Sequence, residues 1–554
     1  MKEVAVQGKN LAIEDVVEVA LHNVRTRLSE EAIPLMEASR AFVLRSLEEG
    51  RAIYGVTTGF GRFSQVLISP EDSRTLQRNL IRSHATGVGD PLPVPVVRAT
   101  MLLRANTLAK GHSGVRPELV ETLISMLNAG VHPIIPEKGS LGASGDLAPL
   151  AHMSLVLIGE GEAEYKGERL PGAEAMRRAG IPVVELQPKE GLALINGTPL
   201  MTAIGSLTLH TARILCRTAD VVAAMTADSL GAVGNAFDER LHTSRGHPGQ
   251  MDSAANLRRV VAGSKLITRP GEVRIQDAYS IRCTPQVHGA SRDAMGYAWA
   301  VLGREINAAT DNPLFFPSNS GSGTSCYGSG GDALGSHDTD EISARDDHGA
   351  VDAYGNQFNY SNRLNMEVIS GGNFHGQPVA LAMDFLGIAL SELANISERR
   401  TEHLLNPMLS GLPAFLTEHG GLNSGFMIAQ YTAAALVSEN KILASPASVD
   451  SIPTSANQED HVSMGTIAAR KARQIAEHVA IVLAIEALCA AQALDFRGVE
   501  KAGAGTKAAY RRIREAVPHL DDDRILHDDI EKVRRIVESG ELLEAVETEV
   551  GRLL

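Results

Sequence analysis

The chain has 554 residues, with 52 basic against 66 acidic side chains and a formal net charge of -14. That balance argues against a surface built to track nucleic-acid phosphates and points to small-molecule chemistry. The length allows a sizeable core, whether divided into several domains or gathered in one large helical architecture.

In chain order, the opening "MKEVAVQGKN" lacks the long apolar core of a secretory signal. Up to Asn196, glycine-rich loops interrupt shorter segments, so a loop-rich N-terminal domain is placed at 1–196 and a helical one at 197–554. From Leu200 to Asp228 the apolar residues Leu200, Ile204, Leu207, Ile214, Val221 and Met225 recur at helical steps and predict one long helix. The stretch 318–367, opening "SNSGSGTSCYGSGGDALGS", is rich in Gly, Ser and Asp and predicts a flexible, solvated insertion. Its aspartates, with His337 and His348, show no recurring metal-ligand spacing, and no metal is expected. Leu381 to Leu405, stopped by Asn406-Pro407, and Ile467 to Phe496 predict two more long helices, rich in alanine and apolar around much of their circumference. Such helices need neighbours on several faces, so the expected fold is mainly α, a bundle of long helices partly completed by other subunits. The C-terminal part is charged and helical in pattern, which suits a solvated or subunit-packing role. No stretch reaches the roughly eighteen uncharged apolar residues of a membrane span, the nearest being "HVAIVLAI" at 478–485. Cys216, Cys283, Cys326 and Cys489 are scattered without a C-x-x-C pair, as reduced thiols are, and a cytoplasmic protein is expected.

One short segment concentrates small residues around a serine: Gly139 to His152 reads "GSLGASGDLAPLAH". As a nucleophile elbow it fails at Asp146, where G-x-S-x-G requires glycine. As a plain turn it would precede a helix capped by Asp146, with Pro149 tolerated in the first turn. A third reading uses every member of Ala143-Ser144-Gly145. Attack of the Gly145 amide nitrogen on the Ala143 carbonyl closes a five-membered ring. Loss of water from that ring and of the Ser144 hydroxyl leaves an exocyclic methylene. Glycine permits the close approach, alanine leaves the carbonyl unhindered, and serine supplies the leaving group. A helix N-terminus next to such a ring would make it more electron-poor.

Seven further segments accompany that triplet: "YGVTTGFG" (Tyr54 to Gly61), "LQRNLIRSHATGVG" (Leu76 to Gly89), "LALINGT" (Leu192 to Thr198), "QDAYSIRCTPQ" (Gln276 to Gln286), "TDNPLFF" (Thr310 to Phe316), "SGGNFHGQPVA" (Ser370 to Ala380) and "SIPTSANQEDHVSMG" (Ser451 to Gly465). In this order and over nearly the whole chain apart from the insertion, they resemble the aromatic amino acid ammonia-lyases and aminomutases, and among these the members that deaminate histidine. The resemblance implies a bundle of the aspartase/fumarase-like type, with the N-terminal domain carrying a 4-methylidene-imidazol-5-one (MIO) formed from Ala143, Ser144 and Gly145. It implies a homotetramer with active sites shared between subunits, no soluble cofactor or metal, and no nucleic-acid or membrane partner. The implied reaction is elimination of ammonia from L-histidine to give trans-urocanate, with a tyrosine or phenylalanine lyase or aminomutase as the alternative.

The resemblance also assigns residues. Tyr54, in a glycine-flanked loop, matches the base that takes the β-proton, and a tyrosine base needs a pKa well below about 10, so the pocket is expected to stabilise its phenolate. Arg282 matches the bidentate partner of the substrate carboxylate. Asn196 matches the asparagine beside substrate and cofactor, and Gln276, Tyr279 and Phe374 match further lining residues. Read alone, each of these is better explained by a surface or structural position than by a catalytic one. Ser83-His84 and Glu459 have the histidine-lyase form, His84 as a substrate-binding residue and Glu459 as a catalytic carboxylate able to bind an imidazole N–H; Asp277 points the same way. Thr57 or Thr58 stands where asparagine is common in histidine lyases, which leaves the balance between lyase and mutase open, and the insertion after Phe316 has no counterpart in the family pattern.

Overall fold

A computed structural model describes residues 3–63, 65–69, 72–318 and 366–554. The expected insertion lies, apart from its ends, outside the described residues, as do His337, His348 and Cys326.

Three long helices form the centre of the molecule: Pro199–Leu230, Gln377–Leu405 and Gly465–Arg497, packed along one another together with Thr284–Glu305. Their ends follow from local chemistry. Pro199 sits in the first turn, where its missing N–H costs nothing, and Gly231 closes the helix in the left-handed region at φ 60°. Asn406 ends the second helix and its side chain accepts from the Met408 amide to start the short turn Pro407–Ser410. The helices at Gln377–Leu405 and Gly465–Arg497 are long and apolar enough to cross a membrane, which corrects the expectation that no segment reaches that threshold. However, 72% and 83% of their apolar windows are buried inside the protein, as befits core helices that must be apolar on several faces.

Charge is buried between these helices. The Glu486 carboxylate accepts from Arg400 Nε at 2.6 Å, Arg400 Nη2 at 2.9 Å, Thr226 Oγ1 at 2.7 Å and Ser397 Oγ at 2.6 Å, which fastens all three long helices to one another. Nearby, Asp220 accepts from Ser253, Asn256 and Arg292 and pairs with His288 Nδ1 at 2.8 Å. Among the described residues the remaining sheet structure is small: four sheets of two or three short strands. One of them pairs Leu314–Pro317 antiparallel with Met366–Ile369 and so joins the chain on either side of 319–365. The main hydrophobic core runs without a break across Asn196. The C-terminal part forms the helices Ala504–Ala516, Leu526–Glu538 and Glu541–Val550.

Candidate active site

The serine of the triplet sits on a loop that enters the helix Leu147–Leu157, and glycine is needed there for two measurable reasons. Gly142 and Gly145 have φ of +76° and +75°, and a Cβ on Gly145 would lie 1.9 Å from the Gly197 carbonyl oxygen. The two segments are laced together by backbone bonds: the Gly197 amide donates to the Ser144 carbonyl at 3.1 Å and the Asp146 amide to the Gly197 carbonyl at 2.7 Å. Asp146 stands at the cap position of Leu147–Leu157, yet its side chain does not cap that helix. Instead Oδ2 accepts from the amides of Leu200 and Met201 at 2.9 and 3.0 Å and caps the long helix Pro199–Leu230. Oδ1 accepts from Thr466 Oγ1 at 2.5 Å and from Ser140 Oγ at 3.3 Å. The carboxylate therefore ties the triplet to two of the three core helices. Burial pushes its pKa up to about 6, with these hydrogen bonds pulling against the rise.

Ser144 faces a cavity of about 1110 Å³ whose walls include Tyr54, His84, Asn196, Phe374 and Glu459. Seven of the eight motifs quoted above, all but "QDAYSIRCTPQ", thus meet in one hollow. Ser144 Oγ approaches Glu459 Oε1 at 3.5 Å, and the other carboxylate oxygen accepts from Thr454 Oγ1 at 3.1 Å. Glu459 is presented by a tight turn in which Ser455, Ala456 and Asn457 all adopt left-handed φ of 53°, 53° and 65°. Holding three consecutive non-glycine residues there costs energy that the surrounding contacts must supply, a pattern found at functional sites. His84 ends the helix Ser73–His84; its Nδ1 lies 2.9 Å from the Leu80 carbonyl, which assigns the proton to Nδ1 and leaves Nε2 an acceptor. Burial lowers the His84 pKa, with Leu80 and the Glu459 charge opposing, so the ring is neutral near pH 7.

Tyr54 lies edge-on to Phe60 and its hydroxyl accepts from the Gly61 amide at 3.1 Å. The expected stabilisation of a phenolate is not met in this geometry: burial, then the Glu459 charge, raise the Tyr54 pKa, and the Gly61 N–H alone lowers it. The threonines that set this loop apart are structural. Thr57 Oγ1 accepts from the Ile53 amide and donates to the Arg51 carbonyl, both at 2.7 Å, and Thr58 Oγ1 accepts from the Gly55 amide at 3.3 Å.

Gln276, Tyr279 and Arg282 are not part of this hollow within one chain. They form a separate patch in which Arg282 Nη1 donates to Gln276 Oε1 at 2.7 Å and the guanidinium lies 4.6 Å from the Tyr279 ring centre. Tyr279 is 70% exposed there. Asp277, read from the sequence as a marker of substrate choice, is turned inward: it accepts from the Val233 amide at 2.6 Å and from Arg274 at 2.7 Å, which pins the loop carrying the patch. Its carboxylate is committed to protein donors and takes no part in the cavity.

Residues 11–515 match the family model of aromatic amino acid lyases. The chain belongs to the aromatic amino acid lyase family. This lyase is 57% identical over 549 residues to a histidine ammonia-lyase of Caldanaerobacter subterraneus subsp. tengcongensis, covering 99% of each chain. Among solved structures, histidine ammonia-lyase from Trypanosoma cruzi gives a TM-score of 0.84 at 38% identity, covering 99% of this chain and 96% of that one. Tyrosine aminomutase from Streptomyces globisporus gives 0.88, also at 38% identity, covering 100% of both. The mainly helical fold expected from the sequence is the fold this lyase has.

Sequence reasoning passed over the residues beneath the triplet. Lys189 and Asp311 are both fully buried and meet at 2.6 Å, and Arg104, buried likewise, donates to the Asn196 carbonyl at 2.7 Å. Asp311 lies inside "TDNPLFF", but a lone lysine before Glu190 or an arginine in an apolar helix has no local signature that separates it from a surface cation.

Proposed function

We propose that this lyase eliminates ammonia from L-histidine to give trans-urocanate. The observation that carries the reading is the Glu459 carboxylate held 3.5 Å from Ser144 on the cavity wall, where it can accept from an imidazole N–H. A phenyl side chain has no donor to offer that half-buried acceptor, whereas an imidazole N–H does. The triplet fits the ring-closed cofactor of the family: Gly145 has the left-handed backbone and the absence of Cβ that close approach requires, and Ser144 opens on the cavity. When formed, that group supplies an electrophile for the substrate nitrogen.

The chain's own residues do the rest. Glu459 and the neutral His84 orient the imidazole, Phe374 packs against the substrate, and Tyr54 takes the β-proton. The phenolate that Tyr54 needs is opposed by its present surroundings, so a nearby cation has to favour it. Among the described residues the cavity lining holds no Lys or Arg, whereas Glu459 and Asp460 are acidic. An amino acid carboxylate entering this hollow therefore also lacks its counter-charge. Both needs are answered when the patch of Gln276, Tyr279 and Arg282 from another copy closes the cavity, which supports a homotetramer with shared sites. The exposed apolar stripe Leu381, Phe385 and Ile388 on Gln377–Leu405 supports association of copies as well. The reading extends to a cytoplasmic enzyme with no nucleic-acid or membrane partner, supported by the net charge of -14 and by apolar helices buried in protein.

The test is ultraviolet absorbance of the purified protein with L-histidine, L-tyrosine and L-phenylalanine in turn, beside Ser144→Ala. Urocanate from histidine alone, lost in the variant, is the expected result. Product from tyrosine, the direction in which the likeness to tyrosine aminomutase points, would overturn the assignment of Glu459. Intact mass short of two water molecules, restored in Ser144→Ala, reads ring closure separately from turnover.

A further inference from the structure

Asn196 lines the cavity beside Ser144, and both hydrogens of its side-chain amide are engaged behind it. They go to Asp311 Oδ1 at 3.2 Å and to the Asn312 carbonyl at 3.3 Å. The atom left for a ligand is Oδ1, which meets no donor among the described residues. An amide can be turned end for end within nearly the same shape, so something must decide which end faces out. The Asp311 carboxylate and the Asn312 carbonyl decide it together, because both only accept and thus select the NH2 end. Oδ1 of Asp311 also accepts from the Asn312 amide at 2.6 Å, and Oδ2 is taken by Lys189 Nζ at 2.6 Å. Asp311 and Lys189 are both fully buried. Lys189 Nζ, bonded to Oδ2, holds the carboxylate so that Oδ1 faces the Asn196 amide, beside the Asn312 carbonyl that accepts from the same NH2 group. Lys189 adopts a left-handed φ of 76° just before the helix Glu190–Ile195, the helix that ends at Asn196. Cation and amide are thus held by the two ends of one short element. Arg104 fixes the same residue from its backbone carbonyl.

We propose that Lys189 and Asp311 are positioning residues for the elimination: the buried ion pair keeps the Asn196 side chain with its oxygen toward the reacting centre, where it accepts from the substrate amine. This rests on the function proposed above, since it takes the ligand beside Ser144 to carry an amine. Neither residue touches the substrate; both act through Asn196.

A double-mutant cycle tests it on the full-length protein with L-histidine. Lys189→Met is expected to lower kcat roughly ten- to a hundred-fold, the range seen when a group that orients a working side chain is removed, with a smaller change in KM. Asn196→Ala lowers kcat by a similar factor. The combined variant falls no further than Asn196→Ala alone, because the lysine has nothing left to orient. Intact mass in each variant is still short of two waters. Should Lys189→Met not fold, Asp311→Asn keeps the shape but offers the amide both a donor and an acceptor, and the same non-additive loss is expected. Losses that multiply, a kcat of Asp311→Asn equal to the parent's, or waters regained in the mass of either variant would each overturn the proposal. Failure of the underlying reading is seen elsewhere, as absence of urocanate from the unmodified protein.

Discussion

Between the long helices, Arg400 and Glu486 form an ion pair with no exposure to solvent; beneath the cavity, Lys189 and Asp311 form another, equally buried. In the bundle every hydrogen-bond donor to Glu486 is a side chain on another core helix, and its oxygens are filled by four donors, so the pair fixes how the helices pack. Under the cavity Asp311 reaches loop groups, and the amide it holds presents its free end to the cavity. Around it, Arg104 Nε and Nη2 and Thr310 Oγ1 are buried without partners among the described residues, whereas the Arg400 guanidinium and the Glu486 carboxylate are matched. The difference teaches that buried charge in this chain serves packing where it is saturated, and serves the site where one end is left open.

If that division holds, substitutions in the two regions separate activity from stability. The largest effect is expected from Ser144→Ala, which should remove turnover by roughly a thousandfold or more, the scale on which loss of a covalent catalytic group registers, with an unchanged thermal midpoint. Arg400→Met should do the reverse. It strands Glu486 as a buried unpaired charge and is expected to cost about 3–5 kcal/mol in denaturant unfolding, while the folded fraction keeps its kcat. A large loss of kcat per folded molecule would break the comparison.

Asp146 sharpens it, since this residue joins the triplet to the helices. A carboxyl whose folded pKa is raised contributes stability below its ordinary value and loses it as pH rises through the folded one. Relative to Asp146→Asn, which does not titrate, the parent should therefore lose up to about 3 kcal/mol between pH about 4 and about 6 and stay level above that. Urea unfolding at several pH values measures it, and a flat difference would show that Asp146 titrates normally. The smallest effect is expected at Asp277. Asp277→Asn weakens the ties to Val233 and Arg274 and should cost about 1–2 kcal/mol of stability without altering the preference for histidine over phenylalanine. A changed preference would return Asp277 to the role its sequence context suggested.

Part of this was legible in the chain itself. The helix expected at 200–228 is Pro199–Leu230, and those expected at 381–405 and 467–496 are Gln377–Leu405 and Gly465–Arg497, because apolar periodicity, Asn406-Pro407 and terminal glycines act within a few residues. Tyr54, His84, Ser144, Asn196, Phe374 and Glu459 could be singled out by the motifs around them, and they do converge. Asp146 was recognisable as a cap but not the helix it caps, since a side chain's partner 54 residues away leaves no local trace.

The amino-acid sequence by itself determined the helical character, the family and the triplet with the glycines Gly142 and Gly145 around its serine, since each depends on residue types at short spacing. Only the tertiary structure decided that Gln276, Tyr279 and Arg282 stand apart from Ser144 in one chain, that Asp277 turns inward, and that Lys189 meets Asp311. These depend on where distant segments cross and on how deeply each charge is withdrawn from water. Burial and long-range contact, not residue type, set what a buried lysine or aspartate does.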